Sequence, residues 1–174
     1  MSEDAINIIK SDYIIKDTKF SEIFADAIDL DFSNGKVIGS NFENIGNDAI
    51  DFSGSKSSVL NSNFNNIGDK VISIGDLSEI NISDIKAINS YIGVVSKDGS
   101  KAFINNVQFN NVEIPFAAYK KKNQYSFAKM NISNIKADDY LTKSIRDKES
   151  KIFERNKEIG KFDEDILTVS NKNN

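Results

Sequence analysis

The chain has 174 residues, of which 39% are hydrophobic and 28% are charged, and its net charge is −4 at pH 7. These values suit one domain with a buried core, and they give no basic stripe of the kind that binds nucleic acid. The sequence contains no cysteine and no histidine. Disulfides, thiolate nucleophiles and His-dependent triads are therefore excluded, the two usual zinc ligands are missing, and any catalysis must use Asp, Glu, Lys, Arg or Tyr.

The first residues, Met1 to Ile8, show no basic region and no leader-like apolar run, so no secretory signal is predicted. No apolar run approaches the ~18 residues that a membrane helix requires. The compartment stays open at this point.

The sequence repeats itself about every 22 residues. Ser40 to Asp48 reads SNFENIGND, and Ser62 to Lys70 reads SNFNNIGDK. A fixed period of this size indicates a solenoid, in which each repeat buries its apolar face by stacking on its neighbours. Within the repeats, apolar residues alternate with polar ones over short stretches, as in Ile28-Asp29-Leu30 and Ile50-Asp51-Phe52. This alternation, bounded by Asn, Gly and Asp, predicts short strands and an all-β parallel β-helix of about six coils.

Stacked coils bring equivalent residues together as ladders. One apolar ladder inside the coil is predicted to contain Phe20, Phe42, Phe64, Ile85, Phe109 and Ile135. A second ladder, at the following turn, is predicted to contain Asn44, Asn66 and Asn111, with Ala87 as an interruption. Asn side chains at such turns bond to one another and to backbone groups.

We expect the coils to occupy residues 1–143 and a charged C-terminal cap and tail to occupy 144–174. The period lengthens near Lys120 to Tyr125, which predicts a protruding loop. Residues 151–162 fit either a hairpin turning at Arg155-Asn156-Lys157 or a short helix, and Gly160 favours the hairpin. Ser170 to Asn174 is predicted to be a frayed tail.

If Ile28, Leu30, Ile50 and Phe52 point inward, then Asp29 and Asp51 point outward one coil apart, at ~4.8 Å, with Ser73 next in line. Two carboxylates at ~5 Å suit a retaining glycosidase. The pair Asp29 and Asp51 also suits Ca²⁺, through which an acidic sugar chain would be bound. The alternative is a pair of solvated acids with no ligand.

Two further groups of residues are candidates. Asp26 and Asp48 form a second ladder that ends in Lys70, where the lysine compensates the carboxylate charge. For ligand binding, lysines attract carboxylate or sulfate groups and tyrosine rings stack on sugars. The predicted binding residues of this kind are Tyr91, Tyr119, Lys120, Lys121, Lys122 and Tyr125.

Three segments carry a resemblance to a known family: Asp26 to Asp31 (DAIDLD), Gly46 to Asp51 (GNDAID) and Ile72 to Gly75 (ISIG). They resemble successive coils around the active site of polygalacturonase-type glycoside hydrolases in the pectin-lyase-like superfamily, whose members are right-handed parallel β-helices. The resemblance implies that Asp26 and Asp48 stand at two catalytic aspartate positions. The middle aspartate of the family's pattern is replaced by Asn47, and the family's histidine and its R-I-K motif have no counterpart.

Because the family's middle aspartate, its histidine and its R-I-K motif are missing, the sequence favours a non-catalytic module. Such a module would be structural or carbohydrate-binding and would come from a polysaccharide-handling or surface protein. The competing hypothesis is a glycoside hydrolase or polysaccharide lyase that uses Asp26, Asp48 and Asp51. For a lyase, the resemblance implies a basic residue beside acids that bind Ca²⁺, and Lys70 and Lys97 are the best-placed candidates. A third possibility is a piece of a longer β-helix that associates through the solenoid ends; the resemblance then implies an extracellular or cell-surface location.

Overall fold

A computed structural model describes residues 4–169 and shows a parallel β-solenoid of about seven turns, one more than the repeat predicts. Seventeen strands and one short helix are present in this part of the chain. Their bounds are β1 Ile6–Ile9, β2 Asp12–Lys16, β3 Lys19–Ile23, β4 Ile28–Asp31, β5 Asn34–Ile38, β6 Asn41–Ile45, β7 Ile50–Ser53, β8 Lys56–Leu60, β9 Asn63–Ile67, β10 Lys70–Gly75, β11 Glu79–Lys97, β12 Lys101–Tyr119, β13 Lys129–Asp138, β14 Ser144–Arg146, β15 Lys151–Glu154, β16 Lys157–Ile159, β17 Lys161–Phe162 and α1 Ile166–Val169.

The solenoid has three faces, and each face is a stack of parallel strand segments contributed by successive coils. Face A stacks β1, β4, β7, β10, residues 92–97 of β11, residues 114–119 of β12, and β14. Face B stacks β2, β5, β8, the first parts of β11, β12 and β13, and β15. Face C stacks β3, β6, β9 and the later parts of β11, β12 and β13. Alternation of side chains along each strand therefore gives every face an inner, apolar side and an outer side.

The core contains the predicted aromatic stack. The rings of Phe20, Phe42 and Phe64 lie parallel, with centroids 4.9 and 4.7 Å apart. The next member is Ala87 rather than Ile85, because β11 pairs with β9 through Ala87 and Phe64. Phe109 follows Ala87, and Ala137 rather than Ile135 follows Phe109.

The physical reason for this shift lies at the corner between faces A and B. Gly54 alone has a left-handed backbone there in the third coil, whereas Asp76 and Leu77 both have one in the fourth. The extra residue moves the strands that follow by one position, so Lys56 pairs with Glu79, 23 residues away. In the sequence, this extra residue is visible only as a small change of the repeat period, which does not show where the residue is inserted.

The predicted asparagine ladder forms at the corner after face C. The Asn66 amide donates to Asn44 Oδ1 at 2.8 Å, and the Asn111 amide donates to Asn89 Oδ1 at 2.9 Å. Asn44, Asn66, Asn89 and Asn111 all have φ between 51° and 59°. Asn tolerates this left-handed conformation better than most residues. Ala87 does not interrupt the ladder, because the same one-residue shift places Asn89 at this corner.

The stack continues past residue 143, because β14 adds to face A and β15 adds to face B. The predicted hairpin is confirmed: β15 and β16 pair antiparallel, and Arg155 and Asn156 make the turn with positive φ. The predicted loop is also present, since no strand occurs between Tyr119 and Lys129. The tail expected at Ser170 to Asn174 lies outside the described residues. Within residues 4–169, no helix is long and apolar enough to cross a membrane.

Candidate functional site

A polar row runs up the outer side of face A through the first four coils. Strand register stacks Asn7, Asp29, Asp51 and Ser73 directly on one another, as the sequence predicts for the last three. We call these four residues the outer row. The amide of Asn7 donates to Asp29 Oδ2 at 2.9 Å. The row therefore presents two carboxylates and a hydroxyl at the fixed spacing of a parallel sheet.

The carboxyl group of Asp29 is held in an environment that favours its neutral form. Partial burial raises its pKa to about 6, and repulsion from Asp31 and Asp51 adds to the shift. Asp51 differs because a lysine accompanies it, with Lys97 Nζ 3.8 Å from its Oδ1. Lys97 reaches Asp51 by lying across Gly75, where a Cβ atom would sit 2.9 Å from Lys97 Cε. Gly75 thus leaves the space that lets the lysine cover part of the row.

Two polar atoms of the row make no hydrogen bond in residues 4–169, although one of them, Asp51 Oδ1, has the ion-pair contact with Lys97. Asp51 Oδ1 and Ser73 Oγ are buried and make no hydrogen bond within the described part of the chain. Buried polar atoms in this condition carry a desolvation cost that a hydrogen-bonding ligand group removes.

A buried group of three charges lies at the corner that precedes face A. Asp48, Asp69 and Lys70 are each 5% exposed or less, and we call them the corner cluster. Lys70 Nζ contacts the carboxylates of Asp48 and Asp69, and its backbone N–H donates to Asp48 Oδ1 at 3.0 Å. The expected pairing of Lys70 with Asp48 is therefore present. Asp69 comes into the cluster as a second acid that sequence reasoning did not select.

One lysine serves two buried carboxylates in this cluster, and the pKa values reflect the imbalance. Burial raises the pKa of Asp48 to about 7, although Lys70 opposes the shift. Burial alone would lower the pKa of Lys70, but Asp48 and Asp69 raise it above its ordinary value. Near neutral pH the cluster therefore binds a proton on a carboxyl group while the lysine stays charged.

Asp26 lies one coil below Asp48 and is tied into the same ladder. Its Oδ1 accepts hydrogen bonds from the Asn47 amide at 2.7 Å and from the Asp48 backbone N–H at 2.8 Å. Burial raises its pKa, and these hydrogen bonds oppose the increase. Asp26 and Asp48 are thus adjacent, as predicted, but both carboxylates bond to the protein itself.

The structure places the predicted tyrosines and lysines apart from the outer row. Tyr119 is 1% exposed and packs in an apolar cluster, so its ring does not face solvent. Tyr91 packs partly against the same cluster. The loop that follows β12 folds back on the protein, where Lys122 Nζ contacts Asp76 at 2.7 Å and lies 5.8 Å from the Tyr125 ring centroid.

The other two lysines of this loop lie at its start. Lys120 Nζ is 4.8 Å from the Phe127 ring centroid. Lys121 is exposed, and its backbone N–H donates to Asp98 Oδ1 at 2.7 Å. The predicted binding residues therefore lie in three places: the outer row, the apolar cluster that contains Tyr119 and contacts Tyr91, and this loop.

Above Ser73 the same row becomes apolar and covered. Val95, Ala117 and Ile145 continue the register, and Ile166 of α1 packs with them. The C-terminal segment therefore covers the outer side of face A in the upper coils, whereas Asn7, Asp29 and Asp51 stay at least partly exposed and Ser73 is buried. The sequence contained no signal that Ile166 returns to this face.

Within residues 4–169, no group of three or more acidic, His or Cys side chains is arranged to hold a metal ion. Asp29 and Asp51 still offer the oxygen ligands that Ca²⁺ prefers. No protein-family model matches the chain, and no curated protein or solved structure shows significant similarity to it. The resemblance to pectin-lyase-like coils consequently depends on the three segments described above.

Proposed function

We propose that this solenoid is a non-catalytic carbohydrate-binding module whose outer row receives a segment of a polysaccharide. The observation that supports this proposal is the juxtaposition of Asp29, Asp51 and Ser73 on one parallel sheet, with two of their polar atoms making no hydrogen bond among the described residues. Carboxylates accept hydrogen bonds from sugar hydroxyls, and hydrogen bonds to a charged group contribute about 1.5–3 kcal/mol each.

Binding on this face depends on side chains alone. The backbone groups of β4, β7 and β10 are paired with neighbouring coils, so a ligand finds no free strand edge there. A polysaccharide chain displaces the Lys97 side chain from Gly75 and brings hydroxyl groups to Asp51 and Ser73. The pectin-lyase-like resemblance agrees with this class of ligand, and a right-handed coil and a place in a polysaccharide-handling or surface protein form part of the proposal.

A second candidate function is hydrolysis or elimination on an acidic polysaccharide with Asp26, Asp48 and Asp51. The pKa of about 7 at Asp48 favours it, because a general acid works best with a pKa near the operating pH. The limited access of a substrate to Asp48 and Asp26 argues against this function. Asp48 is 4% exposed and contacts Lys70, and Asp26 accepts two hydrogen bonds from its neighbours.

The experiment that tests the proposal measures retention and cleavage together. The protein is incubated with neutral and acidic polysaccharides, with and without Ca²⁺, and each mixture is assayed for bound protein and for new chain ends. We expect retention without new ends, and we expect retention of the neutral polysaccharides to weaken in the double variant Asp29→Ala/Asp51→Ala. Glu43→Ala, which removes an acidic side chain from face C, serves as the control.

Three other results are informative. New chain ends that disappear in Asp48→Asn would establish the enzyme hypothesis instead. Retention that requires Ca²⁺ and is lost in the double variant would assign Asp29 and Asp51 as cation ligands within the same binding function. Equal retention of the double variant and the wild type on the neutral polysaccharides would overturn the outer row as the binding surface.

A further inference from the structure

A groove on the outer side of face B has a different character from the outer row. It encloses about 390 Å³ in the upper coils and is lined by 12 residues, none of which is acidic. Strand register stacks four of the lining residues in the alternating order Asn81, Phe103, Asn131, Phe153. Phe103 is 39% exposed, and Phe153 is half-buried. The row therefore places two partly exposed aromatic rings next to two amide side chains along the groove.

The two asparagines of this row differ from most stacked asparagines of the molecule. Asn63 bonds to Asn41, and Asn66 bonds to Asn44, in ladders one coil apart. Asn81 and Asn131 are two coils apart with Phe103 between them, and their amides make no hydrogen bond to any other residue in 4–169. Their donors and acceptors are therefore available to a ligand beside an aromatic face.

The cationic side chains around the groove indicate which charge a ligand should carry. The neighbouring row stacks Lys101, Lys129 and Lys151 on successive coils. Lys101 and Lys151 have acidic partners, at 3.9 Å from Glu79 and 3.0 Å from Glu158. Within the described chain, Lys129 contacts no carboxylate, and its Nζ lies 5.4 Å from the Phe153 ring centroid.

Arg155 lines the far end of the groove and likewise pairs with no carboxylate of the described residues. Lys129 and Arg155 are thus two uncompensated cations beside a groove without acids, on a protein whose net charge is −4. The local charge favours an anionic ligand.

From this arrangement we infer that the face B groove binds an anionic glycan chain, one that carries carboxylate or sulfate groups. The rings of Phe103 and Phe153 pack against sugar faces, the amides of Asn81 and Asn131 bond to hydroxyls, and Lys129 and Arg155 pair with the anionic groups. Single-stranded nucleic acid fits less well. The two rings lie two coils apart, ~9.6 Å, with an amide between them, whereas stacked bases are ~3.4 Å apart.

This inference does not depend on the outer row, which lies on face A and is acidic. The two sites are distinguished with one set of variants of the full chain. The groove variant is Phe103→Ala/Lys129→Gln. Its matched control is Phe24→Ala/Lys10→Gln, which also removes one exposed aromatic ring and one exposed cation, because Phe24 is 78% exposed and both residues lie in the first coil, away from the groove. The face A variant is Asp29→Ala/Asp51→Ala.

The probes are immobilised heparin, polygalacturonate, dextran and poly(dT), and binding is measured at low and high NaCl. We expect binding to heparin or polygalacturonate over dextran, weakened by salt and weakened about tenfold or more in the groove variant, which corresponds to the loss of about 1.4 kcal/mol. The matched control and the face A variant are expected to bind anionic glycan as the wild type does. Circular dichroism and the urea midpoint verify that each variant is folded.

Four outcomes would overturn the groove inference: no retention on either anionic glycan, stronger binding to poly(dT), an equal effect of the matched control, or a loss confined to the face A variant. The last of these would leave the proposed function of the outer row in place. A loss confined to the groove variant would support the groove and would remove the outer row as a binding surface for these anionic probes. Should the groove variant unfold, Arg155→Gln, an exposed change in a turn, tests the same charge pairing.

Discussion

The lower and upper halves of face A share one sheet and one register but differ in what their outer sides contain. In the lower coils the row is Asn7, Asp29, Asp51 and Ser73, and its first three residues are at least partly exposed. In the upper coils the same positions are Val95, Ala117 and Ile145, and Ile166 covers them. A solenoid can therefore use equivalent positions either for a polar surface or for packing, and the returning C-terminal segment makes the difference.

The largest effect is expected from Lys70→Met in the lower half. The change leaves Asp48 and Asp69 buried without a cation, which costs about 3–5 kcal/mol of unfolding free energy at pH 7. The loss should be smaller at pH 4.5, where Asp48, with its folded pKa of about 7, is protonated. Urea unfolding at both pH values measures it, with exposed Lys36→Met as the control. A change of less than about 1 kcal/mol at pH 7 would mean that the corner cluster is hydrated.

The difference between the two halves of face A is tested by substituting serine at one position of the row in each half. Val95→Ser removes a fully buried side chain and buries a hydroxyl, so we expect a loss of about 2–3 kcal/mol. Asp51→Ser should cost less than about 1 kcal/mol, because the lost contact with Lys97 is offset by weaker repulsion of Asp29. Chemical unfolding of both variants gives the difference. Equal losses would show that the upper half is not more closely packed than the lower.

A somewhat smaller effect is expected from Ile166→Ala, which removes the side chain that covers the upper half. Ile166 is 3% exposed, and we expect a loss of about 2 kcal/mol together with faster hydrogen exchange in residues 92–97. The adjacent Leu167 is 41% exposed, so Leu167→Ala should stay within about 0.5 kcal/mol. Identical exchange rates in wild type and Ile166→Ala would contradict a covering role for this helix.

A further prediction concerns the pH dependence of stability. The pKa of Asp48 is about 7 in the folded chain, against about 3.9 in an unfolded one. The folded chain thus binds this proton more tightly, and the stability that Asp48 contributes is full below about pH 4 and is lost as the pH rises to about 7. We expect Asp48→Asn to become more stable relative to wild type across this window.

Thermal unfolding at pH steps from 4 to 8 measures this relative stability. For Asp29→Asn the corresponding window should end near pH 6, the folded pKa of Asp29. A difference between Asp48→Asn and wild type that does not vary with pH would show that Asp48 is ionised throughout the range.

Several features of the fold were predictable because they depend on positions one period apart. The stack of Phe20, Phe42 and Phe64 and the outward row of Asp29, Asp51 and Ser73 follow from a 22-residue spacing and from alternation along strands. Pairing of Lys70 with Asp48 followed in the same way. The hairpin at Arg155 and Asn156 was predicted from local composition.

Errors arose where the period changed. The corner at Asp76 and Leu77 has one extra residue. As a result, Ala87 occupies the position in the aromatic stack that was predicted for Ile85. Asn89 occupies the position in the asparagine ladder where an interruption by Ala87 was predicted. A period measured from sequence locates an insertion only to within a coil, because apolar residues at neighbouring alternate positions fit both registers.

The sequence by itself determined the repeat, the strands and the sides on which their residues lie, because these follow from spacing and alternation within the chain. Only the tertiary structure decided that Asp69 joins Asp48 and Lys70, that Tyr119 is buried, and that Ile166 covers the upper half of face A. Those contacts join residues from different corners and from the chain end. They depend on how the coils turn and where the C-terminal segment packs, and no periodic pattern in the sequence encodes them.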